Sequence, residues 1–320
     1  MIQILELFGG VGAPRKAMEN IGVPYKSIDY VEIDEKAVRS YNVLFDHRKS
    51  AQSVINYSLQ PDILIHGSPC QDFSRAGARY GGGQEDKTRS SLLFETLKII
   101  ENLGIWKPRV VIWENVKGVL DKDMVHAFND YLSYMEGLGY CNSFEVLNAM
   151  DFGVPQSRER IFTVSVLGND KFNFSNLKRV ETVPIKEYLQ DESEITDLYV
   201  INQPSMLSKI EELNPVPRNS NYNRYLTVIE EYCWTITTRQ DRCPNAGIIK
   251  MSDGKYRILT EIEVWRLMGF DDADFFKVLN EHPTRKGCRN ATLYHQAGNS
   301  IVVPVLEVIF RELLKEGLTC

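Results

Sequence analysis

The segment IQILELFGGVG, residues 2–12, decides the fold, because a short apolar run leads straight into a glycine-rich turn. The run Ile2–Leu7 predicts a β-strand, and Pro14–Asn20 predicts a helix directly after the turn. Glycines at such a turn let a ligand approach the backbone closely. A dinucleotide fingerprint needs G-x-G-x-x-G, but Arg15 occupies the place of its third glycine. The turn therefore favours a nucleoside ligand without a pyrophosphate, with a purely structural turn as the alternative.

The alternation of strand and helix continues along the first half of the chain. Further strands are predicted at Ser27–Ile33, Asp62–His66, Val110–Trp113 and Ile161–Val166, and helices at Glu35–Phe45 and Leu92–Leu103. This order implies a doubly wound, mostly parallel α/β sheet with helices on both faces. Ligands of such sheets bind beyond the carboxyl ends of the strands, where Phe8, Glu32, Cys70 and Glu114 all stand.

The apolar periodicity weakens from about residue 170, where polar residues and prolines become frequent. We predict a large domain of residues 1–175 and 291–320, and a smaller domain of residues 176–290. The last 25 residues recover a clear pattern, with a strand predicted at Ile301–Val303 and a helix at Val305–Leu314.

Composition excludes several classes of protein. The 320 residues are 43% hydrophobic and 25% charged, which is ordinary globular usage. No run of 18 apolar residues and no basic leader precede or interrupt the pattern, so we expect a cytoplasmic protein without a membrane span. The net charge of −6 does not mark a nucleic-acid binder, although residues 235–257 hold five basic residues against two acidic ones. None of the six cysteines has zinc-site spacing, so no metal is expected.

Cys70 is the sharpest candidate for chemistry. In Gly67-Ser68-Pro69-Cys70-Gln71 the proline stiffens the turn that presents the thiol at a strand end. Such a thiol can have a lowered pKa and act as a nucleophile, whereas a lone cysteine is more commonly a small buried apolar residue. The following residues, 72–90, predict a long loop of the kind that closes over active sites.

Other polar residues fall at neighbouring strand ends. Glu32 could accept hydrogen bonds from both hydroxyls of a ribose, or could be an acid at a helix N-terminus. Glu114 follows an almost purely apolar strand, where desolvation would raise its pKa and suit it to donate a proton. Strand alternation puts Arg158 and Arg160 on one side, and Asn299 could bond either backbone or ligand.

The order of these motifs resembles that of the C5-cytosine DNA methyltransferases. The matching segments are Glu6–Gly12, Glu32, Pro69–Gln71, Glu114–Val116, Gln156 with Arg158 and Arg160, Arg257–Glu263, and Gln296–Ser300. The resemblance covers roughly residues 1–170 and 255–310. Glu6 stands where aspartate is more usual, a change that we expect to be harmless. Ser53 stands nearest to the place of an acid that contacts the adenine amino group in the family.

The resemblance implies S-adenosylmethionine as methyl donor and duplex DNA as substrate. It assigns the Cys70 thiolate to attack on C6 of cytosine, Glu114 to N3 and the exocyclic amine, Arg160 to O2, and Arg158 to support of the pocket. The donor-binding residues that it implies are Phe8, Gly10, Val11, Gly12, Glu32, Ser53 and Asn299.

DNA recognition is implied for two parts of the chain. Gln71, Ser74 and Arg75 follow the nucleophile in the presumed closing loop. Arg239 and Arg242 lie in the variable segment, about residues 176–255, which would read sequence in the major groove. We expect a monomer that modifies DNA, with a cognate restriction endonuclease as a candidate partner.

Three other functions remain open at this stage. An RNA cytosine-5 methyltransferase could share the fold, although the long variable segment favours DNA. A non-catalytic DNA-binding regulator could also keep the fold, but Cys70, Glu114 and Arg160 are all intact. A nucleotide-dependent oxidoreductase is disfavoured by the missing third glycine.

Overall fold

The computed structural model describes residues 1–55, 57, 59–68, 91–122, 124–210, 212–213 and 225–317. The strands are β1 (Ile2–Leu7), β2 (Tyr25–Val31), β3 (Ile63–His66), β4 (Val110–Val116), β5 (Tyr140–Asn148), β6 (Gln156–Ser157), β7 (Glu159–Leu167), β8 (Cys233–Trp234), β9 (Ile249–Lys250) and β10 (Tyr256–Arg257). The helices are α1 (Ala13–Ile21), α2 (Glu35–Phe45), α3 (Ser91–Asn102), α4 (Val125–Gly137), α5 (Pro204–Leu207), α6 (Glu261–Arg266), α7 (Asp272–Glu281), α8 (Ala291–Asn299) and α9 (Val303–Lys315). Within the described ranges, no helix combines the length and the apolar character that crossing a membrane requires.

Six strands form the main sheet in the order β2-β1-β3-β4-β7-β5. The pairs β1–β2, β1–β3 and β3–β4 are parallel, whereas β7 runs antiparallel to both β4 and β5. The prediction of a doubly wound, mostly parallel sheet is therefore confirmed. The chain winds from β1 outward to β2 and then back to β3, so a crevice opens beyond the carboxyl ends of β1 and β3.

Both faces of the sheet are buried, which explains the nearly continuous apolar runs of its strands. Ile4, Ile63 and Ile112 belong to a core cluster that includes side chains of α1, α2 and α9. Leu5, Leu64 and Val111 point to the opposite face, in a second cluster that includes side chains of α3 and α4. The two-residue alternation of each strand thus supplies one residue to each cluster in turn.

Two expectations for single elements differ from the structure. The strand predicted at Ile301–Val303 is wrong, because α9 already begins at Val303. Pro304 lies in the first turn of that helix, where its missing N–H costs nothing, and this local signal outweighs the β-branched run. The strand predicted at Val110–Trp113 extends to Val116, so Glu114 and Asn115 pair with β7 inside the strand rather than follow its end.

A small separate cluster lies in the region after residue 175. Its buried members are Ile201, Ile210, Leu226, Ile248, Tyr256 and Ile258, and β9 and β10 form a two-stranded antiparallel sheet beside them. By contrast, α6 and α7 contribute Trp265, Phe275 and Val278 to the large core. The same large core also includes Ile185, Ile236 and Ile249. The division into residues 1–175 with 291–320 and residues 176–290 stays a prediction.

Candidate active site

A cavity opens at the carboxyl ends of β1, β3 and β4, in the crevice set by the sheet order. Its wall includes Glu6–Gly10 from β1 and the following turn, Gly67 after β3, and Glu114 on β4. Asn299–Ile301, between α8 and α9, close the opposite side. Among the residues expected to bind the donor, Phe8, Gly10 and Asn299 therefore lie together on one cavity.

The turn after β1 is held in a conformation that demands glycine. Gly10 has φ 54° and Gly12 has φ 83°, both in the left-handed region. A Cβ on Gly12 would lie 2.5 Å from the ring of Phe45, and a Cβ on Gly9 would lie 2.6 Å from the ring of Tyr30. At Gly10, no heavy atom of the described residues lies within 4 Å of the Cβ position. Gly9 and Gly12 thus serve packing, while Gly10 leaves room for a ligand.

Glu32 ties the end of β2 to this turn. Its Oε2 accepts from the Gly10 N–H at 3.0 Å, and its Oε1 accepts from the N–H groups of Ile33 at 2.8 Å and Asp34 at 3.0 Å. The helix-end role considered for Glu32 belongs to Asp34, whose side chain caps α2 by accepting from Lys36 and Ala37. Glu32 is not part of the cavity wall in this structure.

Two other expected donor contacts lie away from the cavity wall. Val11 is 2% exposed and packs in the large core. Ser53 is exposed, and its Oγ accepts from the Ile55 N–H at 3.2 Å. Its assignment to the adenine amino group stays a prediction.

Glu114 and Arg160 form an ion pair at the cavity. Glu114 Oε1 lies 3.3 Å from Arg160 Nε, and the two side chains are only 12% and 18% exposed. Residues Glu114 and Phe162 pair across β4 and β7, which brings Arg160 to the same end of the sheet. Burial raises the pKa of the Glu114 carboxyl, and the charges of Arg160 and Arg158 act in the opposite direction. The carboxyl is therefore poised between accepting and donating a hydrogen bond.

Arg158 lies in a different environment from Arg160. Its guanidinium donates to three backbone carbonyls: Ile236 at 2.9 Å, Gly298 at 3.1 Å and Ser300 at 2.9 Å. Burial, together with the nearby charge of Arg160, lowers the pKa of Arg158 to about 9. Arg158 thus joins the variable segment to the wall of the cavity, a geometry that suits support of the pocket rather than contact with a base.

Gln156 strengthens the same junction. Its Oε1 accepts from the Ile236 N–H at 3.1 Å, and its Nε2 donates to the Leu267 carbonyl at 2.9 Å. A Cβ on Gly298 would lie 2.4 Å from the backbone at Thr237 and Thr238, so α8 packs directly against this segment. The side chains of Gln156 and Arg158 together fix where the chain enters residues 237–242.

Sequence reasoning placed Glu6 in a family motif but gave it no role in the site. Its side chain is 1% exposed and lines the cavity, its Oε1 accepts from the Tyr41 hydroxyl at 3.1 Å, and its Oε2 has no hydrogen-bond partner among the described residues. Burial raises the pKa of Glu6 to about 7. The available signal was a carboxylate near the end of a mostly apolar strand, three residues before Gly9.

Several expected residues lie outside the described part of the chain. They are Cys70, Gln71, Ser74 and Arg75, together with the rest of the expected loop 72–90. Described positions end at Ser68, whose Oγ accepts from Trp113 Nε1 at 3.0 Å. This bond attaches the chain leading to Cys70 to β4, the strand that carries Glu114.

The basic residues of segment 235–257 divide into two groups. Arg257 is 1% exposed and pairs with Glu263 at 2.8 Å, while Lys250 pairs with Glu212 and Lys255 with Asp253. The buried Arg257–Glu263 pair braces the first turn of α6, where Glu263 also completes a capping box with Thr260. Arg239 and Arg242 are exposed, and Arg242 Nε lies 3.7 Å from Asp241 Oδ2.

The fold is that of a Rossmann-like methyltransferase, and its cavity lies beside a carboxylate–arginine pair. The chain belongs to the C-5 cytosine-specific DNA methylase family, whose sequence profile matches residues 2–315. It is 31% identical to a type II methyltransferase of Lactococcus lactis subsp. cremoris (M2.ScrFI), over 98% of this chain and 99% of that protein. It is also 31% identical to a type II methyltransferase of Bacillus sp. strain RFL6 (M.Bsp6I), over 99% of this chain and 100% of that protein.

Solved structures show the same fold. The Dnmt2 methyltransferase of S. pombe superposes with a TM-score of 0.77 at 21% identity, covering 99% of both chains. A putative DNA modification methyltransferase encoded in an E. coli prophage gives a TM-score of 0.69 at 18% identity, over 98% of this chain and 99% of that one. The protein is therefore an enzyme, a DNA cytosine-5 methyltransferase that uses S-adenosylmethionine.

Proposed function

We propose that the protein methylates C5 of one cytosine in a specific duplex sequence, after that base has been flipped into the cavity beside Glu114. The Glu114–Arg160 pair carries the proposal, because Glu114 lies on the wall of the cavity and the Arg160 guanidinium is held 3.3 Å from its carboxyl. Full-length similarity to relatives named type II methyltransferases supports a sequence-specific substrate. A base inside a duplex cannot reach such a cavity, so extrusion from the stack is required.

The residues on the cavity wall suit the donor. Room at the Gly10 backbone suits a nucleoside, and the buried carboxyls of Glu6 and Glu114 suit a ligand with positive charge. Phe8, Gly10 and Asn299 would hold it, with Glu32 reaching the ribose after releasing the Gly10 N–H. When bound, the donor supplies an electrophilic methyl group.

The protein's own residues must make C5 nucleophilic. The Cys70 thiolate adds to C6, and the displaced electron pair moves to C5, which accepts the methyl group. Glu114 donates a proton to N3 and accepts from the exocyclic amine, while Arg160 donates to O2, so charge is stabilised as it develops. Loss of the C5 proton to a base then re-forms the C5–C6 double bond and expels the thiolate.

Bisulfite sequencing of DNA from cells that express the protein tests this proposal directly. We expect one sequence context in which a cytosine is fully protected, and no protection in cells that express the Cys70→Ala variant. A filter assay of methyl transfer, run with tRNA and with duplex DNA as substrates, tests the alternative that the enzyme modifies RNA. Methyl transfer to tRNA alone would replace DNA with RNA as the substrate class.

Replacing Glu32 with alanine should weaken binding of S-adenosylmethionine by about 1–3 kcal/mol, the range for hydrogen bonds to a charged group. The expectation requires the carboxylate to exchange the Gly10 N–H for the ribose hydroxyls. Calorimetric titration of wild type and Glu32→Ala measures the difference. Equal affinities would leave Glu32 a structural brace of the turn.

The matched control for Glu32 is Asp34→Ala. Asp34 caps α2 two residues further along and does not line the cavity. Its loss should lower stability by about 1 kcal/mol without changing donor affinity. A similar loss of affinity in both variants would point to a disturbed turn instead of a lost ribose contact.

Arg239 and Arg242 should read bases. They are exposed at the end of the segment that Gln156 and Arg158 fix to the large core. Arginine grips guanine edges in the major groove, so each change to alanine should cost about 1–3 kcal/mol on the preferred duplex and little on a scrambled one. Binding is measured on both duplexes at several salt concentrations, with the exposed Arg285→Ala as control.

Phosphate contacts would give a different result for these arginines. Both duplexes would then weaken alike, and the salt slope would fall by about 1 per contact. That outcome would remove the base-reading role and keep the segment as a DNA contact.

We further propose that the enzyme acts as a monomer, which its mass in solution with and without DNA would test. Some of its relatives are named type II methyltransferases and others orphan methyltransferases. A search of the neighbouring genes would therefore test whether this enzyme has a cognate endonuclease.

A further inference from the structure

Glu6 is a buried carboxyl with a free oxygen on the donor cavity. Oε1 accepts from the Tyr41 hydroxyl at 3.1 Å, whereas Oε2 lacks a partner among the described residues although it has almost no contact with solvent. An unpaired buried carboxylate is costly, and a buried carboxyl avoids that cost by holding its proton. Glu6 is one of the residues that line the cavity, so a charge on its carboxyl would lie close to a ligand bound there.

We propose that Glu6 selects the methyl donor by charge: it is protonated in the free enzyme and beside the thioether product, and it ionises when the sulfonium-bearing donor binds. The inference rests on the proposed use of this cavity for S-adenosylmethionine. Donor and product, S-adenosylhomocysteine, share the nucleoside, the ammonium and the carboxylate, so the sulfonium charge is what distinguishes them. A carboxylate formed beneath the cavity stabilises that charge in a medium where Coulomb interactions are strong.

The charged neighbours of Glu6 do not neutralise it directly. On α1, Arg15 donates to the hydroxyls of Tyr41 at 3.3 Å and Tyr25 at 3.1 Å, and it lies 3.5 Å from Glu19. Burial raises the pKa of Glu6 and outweighs the guanidinium charge and the backbone N–H of Arg15, which both lower that pKa and are partly offset by the charge of Glu19.

The remaining elements around the cavity add mostly acidic or neutral groups. On β2, Tyr30 stacks on Tyr41 with ring centres 3.7 Å apart, and Glu32 lies at the turn. On β4, Glu114 is balanced by Arg160. The segment Asn299–Ile301 contributes no charged side chain to the wall. Among the described residues, the cavity thus holds one carboxyl, that of Glu6, without a paired cation, and we expect a cationic ligand to pair with it.

The proton balance follows from this arrangement. The protonated Glu6 gives its proton to solvent and the resulting carboxylate pairs with the cationic donor, so one proton is released for each donor bound to protonated enzyme. Burial raises the pKa of Glu6 to about 7, above the ordinary value of 4.5, so the free site is mostly protonated below pH 7. Donor affinity should therefore rise with pH, by about tenfold between pH 6 and pH 8.5. Affinity for the uncharged thioether should stay constant or fall.

Calorimetry tests the inference without catalysis. Donor and product are titrated into wild type at pH 6.5 in two buffers that differ in ionisation enthalpy. We expect wild type to release about three quarters of a proton more on binding donor than the Glu6→Gln variant does. The ammonium of the ligand titrates equally in both proteins, so the difference isolates Glu6. Glu6→Asp keeps an ionisable group and should restore the release.

Each result has a definite meaning. Equal proton release by wild type and Glu6→Gln, or equal release with donor and product, overturns the inference. If Glu6→Gln fails to fold, the inference is tested on the wild type alone, by measuring the Kd of donor and of product as a function of pH. Kd values that change in parallel with pH would overturn the inference. Unchanged donor affinity in Asn299→Ala would remove the cavity as the donor site and the inference with it. Proton release without any methyl transfer to DNA would instead refute the proposed function and leave the role of Glu6 standing.

Discussion

Replacing Cys70 with alanine is expected to abolish methyl transfer while leaving the affinity for S-adenosylmethionine nearly unchanged. C5 of cytosine is a poor nucleophile until a group adds at C6, so losing the thiolate removes the step on which all later steps depend. The described cavity residues that would hold the donor, Phe8, Gly10 and Asn299, belong to other segments of the chain. The variant should therefore lose methyl transfer but keep its affinity for the donor.

Single-turnover transfer of labelled methyl groups to duplex DNA measures the first effect, and calorimetry measures the second. Cys70→Ser is a useful companion, because its hydroxyl keeps the size of the thiol but ionises far less readily; it should also be inactive. Cys288→Ala is the matched control, since Cys288 is an exposed free thiol between α7 and α8. Turnover retained by Cys70→Ala would remove Cys70 from the mechanism.

Much of the fold follows from local sequence. Helix α2 was predicted at Glu35–Phe45 and has those bounds, because Asp34 caps its start and an apolar stripe fixes its buried face. The strands β1 and β3 follow from apolar runs that must be buried on both faces. The reversal of β7 against β4 has no such local signal, since it depends on which distant strands pair.

The site was predictable in part for the same reason. Phe8 and Glu114 could be nominated because ends of parallel strands converge, and Asn299 because its segment resembles a motif of the family. The cavity brings the three together. The three carbonyls around Arg158 come from segments far apart in the chain, so sequence alone could not tell its environment from that of Arg160. The free oxygen of Glu6 depends likewise on the packing of Tyr41 against β1.

Glu114→Gln should lower the single-turnover rate of methyl transfer by about 10²- to 10³-fold, the usual effect of removing one group that stabilises developing charge. The amide keeps the shape of the carboxyl and can still hydrogen-bond a cytosine, so binding of the target duplex should change little. It cannot donate an acidic proton to N3, so the loss should appear in the chemical step. Rapid-quench measurements with saturating DNA and donor separate that step from binding.

The pH dependence of the rate distinguishes proton donation from simple hydrogen bonding. Burial raises the pKa of Glu114, so if the protonated acid is required, the wild-type rate should fall as pH rises through that value. Glu114→Gln has no carboxyl there and should lose this limb of the profile. Glu159→Gln is the matched control, because Glu159 neighbours Arg160 on β7 but is exposed and pairs with Lys117 at 2.9 Å. That variant should keep the wild-type rate and profile, and a wild-type rate in Glu114→Gln itself would exclude Glu114 from the chemistry.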